Sequence, residues 1–176
     1  MKQALFVLPC VEETIASMTR AAEHSLTSAK RDMKYVKSAK TQKILMTFGA
    51  MAVNYGATLT AWVGIRHVNG QWKNNEYIKG YTLSRMNATI RFDELDTFKD
   101  EKLMGLLEVL DNMGLKVETQ DYTGGESPNR EFLFNTDDYH LRVDAWVKSD
   151  SPFCRRVKTG ETVKTVVDET WEIECD

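Results

Sequence analysis

Apolar residues recur at steps of three and four along the first part of the chain: Val11, Ile15, Met18, Ala22, Leu26, Ala29, Met33 and Val36. At about 100° per residue they fall in one narrow arc. The pattern predicts a long N-terminal helix whose seam packs along one neighbour, a sheet face or another helix. Lys37 and Lys40 then take the angles held earlier by Ile15 and Ala22, so the seam ends near Val36, and the helix there leaves the core or turns. From Ile44 to Val53 the chain is apolar on all sides, which implies a buried helix end. Asn54-Tyr55-Gly56 reads as its stop, with Gly56 suited to a left-handed cap.

The period then changes to two. Leu59, Ala61, Val63 and Ile65 share one face of a strand, and Asn69-Gly70 marks a hairpin turn leading into a partner strand from Gln71 to Tyr81. Met86, Ala88, Ile90 and Phe92 alternate in a further strand. A second helix follows. Asp96 or Thr97 is its expected cap, Asp100 and Glu101 lie in its first turn, and Leu103, Leu106, Leu107, Leu110 and Met113 form its apolar face up to Gly114. A short strand, "LKVET", and a polar loop over 121–130 precede a meander with strands near 131–135, 140–148, 153–158, 162–167 and 170–175. Its turns are expected at Thr136-Asp137-Asp138, 149–152, Thr159-Gly160 and Asp168-Glu169. The expected fold is α+β: a long N-terminal helix and a second helix packed on an antiparallel sheet with a C-terminal β-meander. The chain reads as a single domain, with residues 1–56 a mainly helical arm and 57–176 a sheet with one helix.

Charge sharpens this picture. The net charge of −3 is unevenly placed. Residues 1–43 carry eight Lys and Arg against four Asp and Glu, whereas residues 93–126 carry ten Asp and Glu against three Lys. The basic run contributes Lys30, Arg31, Lys34, Lys37, Lys40 and Lys43, a stripe able to meet phosphates or an acidic protein surface. Asp93, Glu94, Asp96, Asp100 and Glu101 form a candidate acidic interface on an acidic flank. Trp62 and Trp72, with Arg66 and Lys73 beside them, offer an aromatic and basic ribbon, a pattern that stacks on bases but more often serves cross-strand packing.

Candidate chemistry is sparse. His24, His67 and His140 lack metal-site spacing with one another or with Cys10, Cys154 and Cys175, and no metal or cofactor is expected. The odd, scattered cysteines predict neither a disulfide nor a metal site, and point to a reducing, cytoplasmic compartment. "TGGES" is a weak phosphate loop, because no helix follows it. The chain from Ile44 to Ile65 is free of charge and long enough to cross a bilayer, but its Asn, Thr and Gly content favours a buried helix end and a buried strand. The N-terminal apolar run, broken by Pro9 and followed by Glu12 and Glu13, does not read as a cleaved signal. These readings favour binding over catalysis.

The C-terminal run "DAWVKSDSPFCRRVKTGE…ETWEIECD", the last fifth of the chain, resembles uncharacterised small accessory proteins of tailed phages. The resemblance implies a small protein made early in infection inside a bacterium, of a kind that binds and inhibits a host enzyme or a defence complex, such as a nuclease or a CRISPR-type effector. It carries no functional residues across. The expected partner is therefore a host protein or complex. Nucleic acid bound through the basic stripe is the alternative, an enzyme with an unrecognised site a third reading, and a homodimer through the first helix an additional expectation. No membrane association is expected.

Overall fold

The computed structural model describes residues 8–25, 28–68, 71–74, 76–78, 80–122, 127–152, 154–163 and 167–175, with the backbone alone for 67, 71–73, 76–78, 81–82, 154–163 and 167–174. It is an α+β fold. Three helices open the chain where the sequence predicts one: α1 (Pro9–Glu23), α2 (Ala29–Val36) and α3 (Ala39–Asn54). Pro9 sits in the first turn of α1, where its missing N–H costs nothing. The second break is made by Ser38, whose side chain accepts the backbone N–H of Thr41 and caps α3. The apolar seam runs through both breaks because each new helix resumes with its apolar side toward the same core. Val11, Met18, Ala22 and Val36 are fully buried there, with Ile15 and Met33 packed against them; Leu26 lies outside the described residues. The seam expected to join two copies is thus covered by the chain's own core.

α3 ends at Asn54, and Gly56 takes the left-handed conformation (φ +68°). β1 (Thr58–Val68) follows, so the charge-free stretch is a buried helix end and a strand, and no helix among the described residues is long and apolar enough to cross a membrane. The partner of β1 is not the segment after Asn69-Gly70, where the expected turn lies outside the described residues. Gln71–Lys73 (β2) and Glu76–Ile78 (β3) form a separate two-stranded ribbon. β1 pairs instead with β4 (Tyr81–Leu95), from Thr58 opposite Arg91 to Val68 opposite Tyr81. In register Trp62 stands opposite Asn87 of β4 and Trp72 opposite Tyr77 of β3, so the two tryptophans expected to share one ribbon belong to different sheets.

α4 spans Glu101–Asn112, with Asp100 as its cap rather than Asp96 or Thr97; the Asp100 carboxylate accepts the N–H of Lys102 at 2.9 Å. β5 (Val117–Tyr122), β6 (Asn129–Asn135) and β7 (Tyr139–Val147) then complete a five-stranded sheet of order β1-β4-β7-β6-β5. The sheet is mixed, not wholly antiparallel: β4 and β7 run parallel, because α4, β5 and β6 together form the crossover between them. The rows Ala88, Leu141, Phe134 and Ile90, Val143, Phe132 face the helices and build the core with Leu45, Phe48, Leu103, Leu106 and Leu110.

The meander ends at β7. Cys154–Val163 (β8) and Val167–Cys175 (β9) form a separate hairpin. The expected turn at Thr159-Gly160 is a register shift within β8, and Asp168-Glu169 lies inside β9. The cysteine expectation is also corrected. Cys175 is disulfide-bonded, and it stands in register opposite Cys154; Cys10 is free. Three cysteines scattered in sequence hide this, since a long hairpin brings distant positions face to face.

One buried carboxylate fastens the second helix to the sheet. Asp32 on α2 accepts hydrogen bonds from the Ser28 hydroxyl (2.6 Å), from Ser84 of β4 (2.8 Å) and from Arg31. Burial pushes its pKa upward, but the bonds from Ser28, Ser84 and Arg31 outweigh this, and the net shift is downward. A depressed folded-state pKa contributes stability above the unfolded value, about 3.9, and that contribution is lost as the pH falls through the folded value. Ser84→Ala is expected to lower stability at pH 7 by about 1.5–3 kcal/mol, as for a hydrogen bond to a charged group, and to flatten the loss of stability below pH 4. Urea midpoints measured at pH 7 and pH 3 check both; unchanged midpoints would mean that the Asp32 tie does not stabilise the fold.

Candidate functional site

The basic stripe lies across the α2–α3 corner. Lys30, Lys34 and Lys37 recur at helical spacing along α2 and its cap, and Lys43 follows on α3; all four are exposed. None of the four has an ion-pair partner among the described residues. The other two members are engaged internally. Arg31 reaches Asp32 at 3.3 Å, and Lys40 meets Asp138 at 2.6 Å, which raises the lysine pKa through that hydrogen bond. Lys40 is thus part of a clasp on the β6–β7 turn. Tyr35 donates to the Asp138 carbonyl, Arg66 pairs with Asp137 at 2.8 Å, and Thr136 closes the turn by accepting the N–H of Tyr139. The adjacent acids that read as turn chemistry are the anchors of that clasp.

The candidate acidic interface comes together only in part: Asp93, Glu94 and Asp96 gather around Lys148, while Asp100 and Glu101 belong to the start of α4. Asp93 pairs with Arg91 at 2.7 Å, and Glu94 occupies the irregularity between Phe92 and Leu95 with a positive φ of 60°. Asp96 pairs with Lys148, and Asp100 caps α4. Asp93 and Glu94 line a cavity of about 570 Å³ with Arg91, Trp146 and Lys148. The arginine sits over the Trp146 ring at 4.8 Å as well as on Asp93, and Asp150 lines the same cavity. Glu101 lines a second and different cavity.

That cavity is the feature sequence reading missed. It is a groove of about 700 Å³ between α4 and the strands β5 and β6. Met104 and Leu107 of α4, Leu115, Val117 of β5, and Phe132 and Phe134 of β6 form its apolar lining. Met104 and Val117 are about half exposed, at 49% and 50%. Glu101, Glu108 and Asp111 stand in its wall on α4. Gly105 of α4, which also lines the groove, admits the Tyr55 ring so closely that a Cβ there would come within 2.8 Å of it. Leu103, Leu106 and Leu110 are fully buried on the core side, while the side of α4 toward β5 is left uncovered. β5 is the outer strand of the sheet, with all six residues exposed. Among the described residues its backbone bonds only to β6.

No catalytic constellation accompanies these surfaces among the described residues. The His140 ring meets Asn135 at 2.7 Å, and Arg85 shares the same Asn135 oxygen at 2.8 Å. Burial, then Arg85 and Arg142, lower the His140 pKa, so its neutral form is favoured. His24 is exposed on the turn after α1. Among the described residues no cluster of three or more His, Cys, Asp or Glu side chains is arranged to hold a metal ion. The "TGGES" loop lies mostly outside the described residues, as do the side chains of His67, Trp72 and Lys73. No family model matches the chain, and no curated protein or solved structure matches it.

Proposed function

We propose that this is a non-catalytic binding protein that docks on another protein through the groove between α4 and the β5–β6 edge. The observation that carries the reading is the groove itself. Half-exposed Met104 and Val117 sit over Phe132 and Phe134, beside an unpaired strand edge. An apolar recess flanked by open backbone groups is the form used to capture a partner segment. Together with the resemblance of the C-terminal run to phage accessory proteins, this supports stoichiometric inhibition or modulation of a host complex, a nuclease or CRISPR-type effector among them. A second reading rests on Lys30, Lys34, Lys37 and Lys43, which are exposed and unpaired and suit weak, sequence-independent phosphate contact.

The two readings separate in one capture experiment from bacterial lysate, with bound proteins quantified by mass spectrometry. Met104→Glu/Val117→Glu charges the groove at two half-exposed positions; Lys34→Glu/Lys37→Glu reverses the basic corner. Both pairs are expected to leave the circular dichroism and melting temperature close to the parent's. A protein captured by the parent and by the lysine variant, but lost by the groove variant, is the expected result. Loss with the lysine variant alone, or capture that nuclease treatment abolishes, would transfer the function to the basic corner.

A further inference from the structure

We infer that the occupant of the groove is an extended segment of a partner protein that joins the sheet as a sixth strand beside β5, with apolar side chains at alternate positions and Lys or Arg among the rest. This deepens the reading of the groove as a protein site and rests on it. Three features of β5 point this way. Its backbone offers a row of free donors and acceptors, since each alternate residue of an outer antiparallel strand directs its N–H and C=O away from its neighbour. At about 3.3 Å per residue the strand is about 20 Å long, enough for a short peptide. Finally, a strand laid against it would turn every second side chain toward α4, over Val117 and Met104 and into the groove.

Charge selects the chemistry of that segment. Glu101, Glu108 and Asp111 of the groove wall and Glu118 of β5 have no ion-pair partner among the described residues. Val117 and Thr119 line the groove, so Glu118 lies on the other face of β5, where basic residues at the segment's outward positions can meet it. A basic residue at a groove-facing end of the segment can lay its apolar stem over Met104 and Val117 and carry the cation to Glu101, Glu108 or Asp111. β5 contains no lysine or proline, residues that commonly block an open edge. The same acids disfavour a second copy of this chain. In the antiparallel pairing of β5 with itself that uses all six residues, Glu118 would stand opposite Asp121 of the other copy, and like charges directly opposite destabilise a ladder.

A displayed library of random dodecapeptides, panned on the intact chain, tests this. The enriched sequences are expected to alternate apolar residues and to favour Lys and Arg over Asp and Glu. A synthetic peptide from that set should bind in fluorescence anisotropy and weaken as salt rises. N-methylation of the backbone should weaken it about tenfold at amides of one parity and little at the other, as strand pairing requires. Peptides with apolar residues at three- and four-residue spacing, still lost with Met104→Glu/Val117→Glu, would overturn strand addition but leave the groove as a protein site. Enriched peptides insensitive to that double change, or no enrichment, would overturn both. A doubled mass in light scattering that the same change abolishes would give the edge to a second copy and overturn the proposal.

Discussion

Phe48→Ala is expected to lower the free energy of unfolding by about 3–5 kcal/mol, a large share of the roughly 5–15 kcal/mol that holds a domain together. Phe48 is 1% exposed on α3. Its ring meets the Tyr139 ring edge to face, with centroids 5.0 Å apart and planes at 88°. It is therefore a contact between α3 and β7, the strand that runs parallel to β4 in the middle of the sheet. Truncation removes the buried ring surface and leaves a cavity that rigid neighbours on both sides cannot close. Tyr139→Leu removes the aromatic pairing while keeping apolar bulk, and its cost should include only about 0.5–1.5 kcal/mol for that pairing. Urea unfolding of both variants measures the difference. A loss below 1 kcal/mol for Phe48→Ala would mean that α3 does not pack on the sheet through this residue.

Gly49→Ala is expected to destabilise by about 1–3 kcal/mol through overpacking, although alanine is the better helix former by about 1 kcal/mol. A Cβ on Gly49 would run into the Cγ2 methyl of Val11, a fully buried residue on α1. Glycine at this point lets α1 and α3 approach. The mechanism has a signature that separates it from a loss of backbone conformation. Val11→Ala alone opens a small cavity, but in the Gly49→Ala background it makes room for the new methyl group. The double variant should then be more stable than the sum of the two single losses predicts, by about 0.5–3 kcal/mol, as expected for residues in direct contact. Strict additivity in a double-mutant cycle would rule out the steric account.

Several elements were legible because they depend on local physics. The leucines of α4 repeat at helical spacing, and Leu103, Leu106 and Leu110 prove to be fully buried. Gly56 and Gly114 both follow helices, and both have positive φ. The alternation of Met86, Ala88, Ile90 and Phe92 located the inner face of β4 correctly. Reading of the N-terminal third failed where periodicity is blind. A helix that stops and restarts with its apolar side toward the same core keeps the period intact, so α1, α2 and α3 looked like one helix. The basic stripe was named residue by residue, but its division into four free lysines and two engaged cations depends on Asp32 and Asp138. Only folding brings Asp138 to Lys40.

The sequence by itself determined the α+β class, the buried faces of α1, α4 and β4 in the main (Met113, expected on the α4 face, is exposed, as is Ile65 of β1), and the separation of basic and acidic charge along the chain. These follow from side-chain period and composition, which act within a few residues. The tertiary structure alone decided that β4 lies parallel to β7, that Cys175 is disulfide-bonded with Cys154 opposite it in register, that the five acids do not form one surface, and that α4 leaves a groove beside β5. Each of these depends on which distant segments become neighbours. That choice is set by the packing of whole elements, as when Gly105 of α4 admits the Tyr55 ring, and no local period encodes it.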